Sequence, residues 1–212
     1  MQNKERLKII NDKYNECINK QYGQFVKHFR FRRDMTRGVK LLTEEQCVGK
    51  HFDLSKEKGN RGKCLCKNGN IYIREDALTD QVLVHEYIHR LSCNYRFILG
   101  YGYIPIQGID YPNKELNGLS ELLTDWIAYK ITNIKEHTVY SENYRLIDEV
   151  EKQLGEEKFR ELLKAFFHNK DRKVIRLIKE IENFNTLKDV NNLEELIKSR
   201  LQETRNSHIT NK

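Results

Sequence analysis

The chain has no apolar run long enough to form a transmembrane helix, so we expect no membrane partner. Its first residues, Met-Gln-Asn-Lys-Glu-Arg, lack the apolar centre of a secretory leader. The five cysteines make no even disulfide framework, which agrees with a reducing compartment. From these three absences we expect a cytoplasmic protein.

The chain also has few prolines and no strong excess of one charge. The chain has two prolines, and a net charge of +7 over 212 residues is only mildly basic. One stretch of basic residues interleaved with aromatics, residues 27–33, could contact nucleic acid. The same residues suit the end of a helix and a solvated strand, and the weak overall charge favours that interpretation. We therefore expect no nucleic-acid partner.

The most informative pattern in the sequence is His85-Glu86-Tyr87-Ile88-His89. On a helix, residues four apart lie on one face, so both imidazoles can reach a single metal ion. The glutamate stands beside the first histidine, where it can deprotonate a metal-bound water. Because the pentapeptide also arises by chance, an amphipathic helix with two ordinary histidines is the alternative. The surrounding sequence has to decide between them.

The surrounding sequence predicts a β-hairpin followed by a helix. Asn68-Gly69 is the signal for a two-residue turn between strands over residues 63–67 and 70–74. Thr79 is placed to cap a helix that carries both histidines. A small sheet element is therefore expected directly before the metal-binding helix.

Cys47, Cys64 and Cys66 form a further group of metal-binding residue types. Their spacing matches no common zinc knuckle. Alternation along the predicted strand places Cys64 and Cys66 on one face. We expect both to pack in the core and to bind no second metal.

A catalytic zinc ion usually takes three protein ligands, so a third is sought downstream. A second helix is predicted to begin near Gly118, and its Glu121 and Asp125 share one face of an otherwise apolar helix. Inward carboxylates are costly unless positive groups meet them, and zinc could meet Glu121. One alternative is a helix-dipole charge at Glu121 with a solvated Asp125. Another is ligation by Asp110 or Glu115 from the preceding loop.

Together, the two motifs resemble the signature of the gluzincin zinc metallopeptidases. That family pairs His-Glu-x-x-His with a downstream glutamate and acid, which this chain matches as Ser-Glu-Leu-Leu-Thr-Asp over residues 120–125. Ser120 stands where asparagine is more usual in the family. The resemblance covers about residues 63–130 and implies a zincin-like fold.

The resemblance also implies a role for each matching residue. Zn²⁺ would be held by His85, His89 and Glu121, with Glu86 as the general base. Asp125 would accept the free ring N–H of a ligand histidine, which fixes the tautomer and orientation of that ring.

The connector between the two helices, residues 100–118, contains both prolines and is predicted to be an ordered loop. Because both flanking helices would hold the metal, the loop is expected to pass near it, and such loops gather substrate contacts. Tyr101, Tyr103 and Tyr111 are candidates to stabilise the developing oxyanion. Tyr111 fits best by position, although an aromatic residue in a loop more commonly anchors packing.

Helices are predicted at both ends of the sequence. An apolar stripe over residues 4–30 predicts an N-terminal helix, and further stripes follow residue 141, the first ending at Gly155. We expect an α+β, predominantly helical fold. Its parts are a zincin-like catalytic region over residues 1–140, a helical C-terminal subdomain over residues 141–204 and a disordered tail over residues 205–212.

Two classes of function follow. The first is a zinc-dependent peptidase that hydrolyses a peptide or protein with a metal-activated water and Glu86 as general base. The second is a non-catalytic zincin-like module that binds protein or nucleic acid and keeps its zinc. The presence of Glu86 and a ligand set without cysteine favour the enzyme, because structural zinc sites tend to be closed and cysteine-rich.

Overall fold

The computed structural model describes residues 2–26, 34–47, 54, 61–98, 102–106, 117–135 and 140–181. Within these residues helices predominate and the sheets are small, as predicted. The helices are α1 (Gln2–Gln21), α2 (Glu44–Cys47), α3 (Asp80–Leu91), α4 (Asn117–Thr132), α5 (Tyr144–Phe167) and α6 (Asp171–Ile178). The strands are β1 (Val39–Leu42), β2 (Gly62–Leu65), β3 (Asn70–Arg74), β4 (Asn94–Ile98) and β5 (Gly102–Ile106). None of the helices described has the length and apolar character needed to cross a membrane.

The sheet that precedes α3 has the strand order β1-β3-β2, with β1 parallel and β2 antiparallel to β3. The central strand is buried on both faces. Ile71 and Ile73 are fully buried, and Tyr72 packs on the other face with Cys47 and Leu54. Because α3 contacts both β2 and β3, this sheet is the support on which the helix of the histidines rests.

The predicted hairpin is confirmed, but its turn is longer than the sequence suggested. Leu65 pairs with Asn70, so four residues, 66–69, connect the strands. Gly69 has a φ of 71°, a left-handed conformation that glycine adopts without steric cost. The side chain of Asn68 accepts a hydrogen bond from the backbone N–H of Asn70 at 2.9 Å. The Asn-Gly signal therefore located the turn correctly and misjudged the end of the first strand.

Next to this turn, a disulfide links Cys66 to Cys93. Cys66 leaves the β-ladder directly after Leu65 and bonds to the residue that follows the C-cap of α3. The expectation that Cys66 packs beside Cys64 is therefore wrong. Three cysteines are outside disulfides: Cys64 and Cys47 are buried, and Cys17 is half-buried. The cytoplasmic location stays a prediction, and this bond is of a kind more typical of oxidising compartments.

Loss of this disulfide is expected to destabilise the fold. The cysteines are 27 residues apart in sequence, and a loop of that length corresponds to about 3–4 kcal/mol of unfolding free energy in the chain-entropy treatment. The Cys66→Ser/Cys93→Ser variant should therefore unfold at a clearly lower urea concentration than the native chain. The matched control is Cys17→Ser, which removes a free thiol of intermediate burial. Equal midpoints for the native chain and the double variant would contradict the prediction.

The segment expected to be a loop from Gly100 contains a strand. Residues 94–98 and 102–106 form an antiparallel pair, β4 and β5, with Phe97 opposite Tyr103 and Tyr95 opposite Pro105. Proline is compatible with a two-stranded sheet, where each strand is an edge. The aromatic residues at alternate positions of β4 and the isoleucines at alternate positions of β5 were the signal in the sequence, and the nearby glycines and Pro105 obscured it.

The chain divides into two compact units, and helix α4 contributes to both. The first unit, residues 1–107 and 128–134, holds α1–α3, β1–β5 and the end of α4. In this unit α1 ends at Gln21, earlier than predicted, because a 3₁₀ turn over Gly23–Phe25 follows it. The boundary predicted at residue 140 stays a prediction.

The second unit, residues 108–127 and 135–212, holds the first part of α4 together with α5 and α6. As predicted, Gly155 breaks a helix: its φ of 72° interrupts α5, and both halves bury their apolar stripes. The Trp126 indole N–H donates to Asp148 at 3.0 Å, and its ring meets Phe159 edge to face. The tail predicted over residues 205–212 lies outside the described residues.

Candidate metal centre

Helix α3 begins where the sequence indicated. The backbone N–H of Val82 donates to the Thr79 hydroxyl at 3.1 Å, which satisfies one of the open donors of the first turn. Ten of its twelve residues are buried, so packing on several sides rather than one apolar stripe holds the helix. A helix confined in this way presents its side chains in a fixed direction.

Two hydrogen bonds between α1 and α3 hold α3 in place along its length. The Tyr14 hydroxyl donates to Asp80 at 2.8 Å in the first turn, and the Tyr87 hydroxyl donates to Asn15 at 3.2 Å one turn before the end. A third bond, from the Thr132 hydroxyl to the Gln81 amide oxygen at 2.8 Å, joins the last turn of α4 to the first turn of α3. These contacts limit rotation of the helix about its own axis.

Arg90 fixes the other end of α3. Its guanidinium donates to the carbonyl oxygens of Arg37 at 2.7 Å and Asp34 at 2.9 Å, and lies 4.5 Å from the centre of the Tyr87 ring. The two carbonyls belong to the turn that leads into β1. The two terminal nitrogens of this buried arginine, next to His89, are thus hydrogen-bonded to backbone carbonyls, and no pattern in the sequence indicated these partners.

The two histidines of α3 converge. Their Nε2 atoms are 3.0 Å apart and the rings meet edge to face, with centroids 4.7 Å apart. His89 is buried and His85 is half-buried. Two imidazole nitrogens at this distance can share either one proton or one cation. The four-residue spacing therefore leads both rings to one point.

Glu121 of α4 completes a group of three. Its carboxylate and the ring nitrogens of His85 and His89 all lie within 4.8 Å of one another. Two donors on a tetrahedral zinc ion are about 3.3 Å apart, because each metal–ligand bond is about 2.0–2.1 Å. Two nitrogens and one oxygen at these separations fit zinc after small side-chain adjustments. Within the described residues, no fourth residue of a ligand type, whether histidine, cysteine, aspartate or glutamate, joins the group.

Glu86 follows His85 on α3 and does not belong to this group of ligands. Its side chain is 6% exposed and rests against Gly62 of β2. The buried thiol of Cys64 lies on the same strand, and burial raises its pKa, with the Glu86 carboxylate adding to the rise and Arg90 opposing it. Burial at this position therefore favours the neutral thiol of Cys64 over its thiolate.

Asp125 is buried one turn after Glu121 on α4. It is 3% exposed and accepts a hydrogen bond from the Tyr144 hydroxyl at 2.7 Å. The alternative of a solvated Asp125 is therefore wrong. Its predicted bond to a ligand histidine stays a prediction. Nearby, Ser120 is buried, and its carbonyl accepts a bond from Thr124 at 2.9 Å.

Removing the charge of Asp125 provides a test of that role. If the carboxylate orients a ligand histidine, Asp125→Asn should lower zinc affinity by about tenfold to a hundredfold while the protein stays folded. Competition with a fluorescent zinc chelator would measure this change. Asp148→Asn is the matched control, because Asp148 also accepts a side-chain hydrogen bond in the same unit, from the indole N–H of Trp126. Equal zinc affinity in Asp125→Asn and the native chain would remove the assignment.

Of the candidates to stabilise an oxyanion, Tyr111 and Tyr101 lie outside the described residues. Tyr103 is a residue of β5. Asp110 and Glu115, the alternative ligands, also lie outside them.

No protein family model, curated protein or solved structure matches this chain. The resemblance to gluzincins therefore depends on the two motifs and on the cluster of His85, His89 and Glu121.

Proposed function

We propose that this protein is a zinc-dependent peptidase of the gluzincin type, with a zincin-like catalytic region. The observation that carries the proposal is the convergence of three ligand atoms, from His85, His89 and Glu121, within 4.8 Å of one another. Glu86, next to the first ligand on the same helix, supplies the fourth functional group of the motif. If the two histidines were paired by accident, there would be no reason for a carboxylate from a helix far along the sequence to meet them at the same point.

In this proposal each residue has a defined task. Zinc, when bound, acidifies a water molecule and polarises the scissile carbonyl. His85, His89 and Glu121 hold the ion through two nitrogens and one oxygen. Glu86 accepts the proton of the attacking water and passes it to the leaving amine.

The composition of the ligand group favours catalysis over a purely structural role. Structural zinc sites are closed by four protein ligands and are rich in cysteine. Among the described residues, this group has three ligands and no thiolate. A three-ligand group leaves a coordination position for water, which a hydrolase requires.

A direct test uses the full chain loaded with zinc and a library of quenched fluorescent peptides. We expect hydrolysis that stops when a zinc chelator is added and resumes when zinc is restored, with new peptide termini identified by mass spectrometry. A chain that binds one zinc ion and cleaves no member of the library would instead support the non-catalytic binding module.

A further inference from the structure

Gly62 of strand β2 lies directly against the side chain of Glu86. A Cβ atom built on Gly62 would be 2.8 Å from Cγ and 2.9 Å from Oε1 of Glu86, and 3.1 Å from its Cδ. These three atoms are the nearest neighbours of that position. The two shorter distances are below what real Cβ atoms tolerate, so any side chain at position 62 would displace Glu86.

The backbone of β2 gives no reason for a glycine at this position. The glycines with positive φ in the described residues are Gly38, Gly69 and Gly155, and Gly62 is not among them. It pairs with Ile73 in a regular antiparallel ladder, where glycine weakens a strand. The absence of a side chain at Gly62 therefore leaves room beside the strand, and the side chain of Glu86 occupies that room.

We propose that Gly62 is a positioning residue for the general base, an inference that rests on the proposed peptidase function. The contact reaches Cγ, so a rotation of the terminal carboxylate alone cannot relieve it. A side chain at position 62 would force a change in χ1 of Glu86, because rotation about χ2 leaves Cγ in place, and would move its carboxylate by more than an ångström. A displacement of that size can lower a rate about a hundredfold, while His85, His89 and Glu121 keep their places.

The first experiment needs no substrate. The melting temperature is measured for the native chain, Gly62→Ala, Glu86→Ala and the double variant. We expect Gly62→Ala to lower Tm in the native background and to leave it unchanged or raise it beside Glu86→Ala, because the clash is then gone and alanine suits a strand better. Should Gly62→Ala fail to fold, recovery of folding in the double variant supports the same contact. An equal effect in both backgrounds, or failure to fold in both, overturns the inference.

The second experiment uses the library peptide that the native chain cleaves fastest. Gly62→Ala should lower kcat by about a hundredfold with KM and the zinc content of about one ion per chain unchanged. It should have no further effect in the Glu86→Gln background, because it acts through that side chain. Lys63→Ala, at an exposed position on the same strand, is the matched control.

The two hypotheses fail in different ways. A zinc-loaded native chain that cleaves no peptide of the library would overturn the proposed function itself, whereas full activity of Glu86→Gln would overturn only the assignment of Glu86 as the base. An inactive Glu86→Gln together with an unchanged kcat in Gly62→Ala would overturn the positioning role alone.

Discussion

Glu86→Gln is expected to lower peptide hydrolysis by about 10²- to 10⁴-fold, the usual contribution of a positioned general base. Glutamine has nearly the shape of glutamate, so it can occupy the same space against Gly62. It cannot accept the proton of the attacking water at neutral pH. Because Glu86 is not one of the three ligands, the variant should keep its zinc and its fold.

The measurement is hydrolysis of a quenched fluorescent peptide at equal zinc occupancy, with circular dichroism to check folding. Glu75→Gln is the matched control, since Glu75 is exposed and lies five residues before the start of α3. Activity in Glu86→Gln close to that of the native chain would show that another group is the base.

His85→Ala or His89→Ala is expected to reduce bound zinc from about one ion per chain to none. Each ring contributes one nitrogen to a group of only three ligands, and the two Nε2 atoms are 3.0 Å apart. Loss of one ring leaves two ligands, which cannot hold the ion against competing chelators. Glu121→Ala should weaken zinc binding in the same direction, because it removes the third ligand.

Metal content would be measured by elemental analysis after zinc reconstitution and dialysis. His168→Ala is the matched control, because His168 caps the end of α5 and is not part of the cluster. Absence of zinc from the native chain after reconstitution would eliminate the metalloenzyme hypothesis. Retention of one ion per chain in both histidine variants would locate the metal elsewhere.

Local features were readable because short-range physics determines them. A hydroxyl before a helix caps it, an Asn-Gly pair turns the chain, and a glycine with positive φ ends a helix. Thr79, Gly69 and Gly155 all behave in this way. The convergence of His85 and His89 belongs with these features, since two residues four apart on a helix share a face whatever surrounds them.

Long-range features were not readable because many distant partners satisfy the same local pattern. The odd number of cysteines concealed the bond between Cys66 and Cys93, which depends on a strand end and a helix end meeting. The partners of Arg90 are backbone carbonyls, which every residue possesses, so no side-chain pattern announces them. The strands β4 and β5 were missed because glycine and proline resemble loop signals until the pairing is known.

The sequence by itself determined which residues could form the site: His85, Glu86 and His89 through helical spacing, and Glu121 through a second amphipathic helix. Only the tertiary structure decided that the Glu121 carboxylate comes within 4.8 Å of both rings, and that Glu86 fills the space left by Gly62. The physical reason is that helical periodicity orients side chains relative to their own axis alone. Bringing a carboxylate to two imidazoles, or a glutamate to a glycine, depends on how separate elements pack.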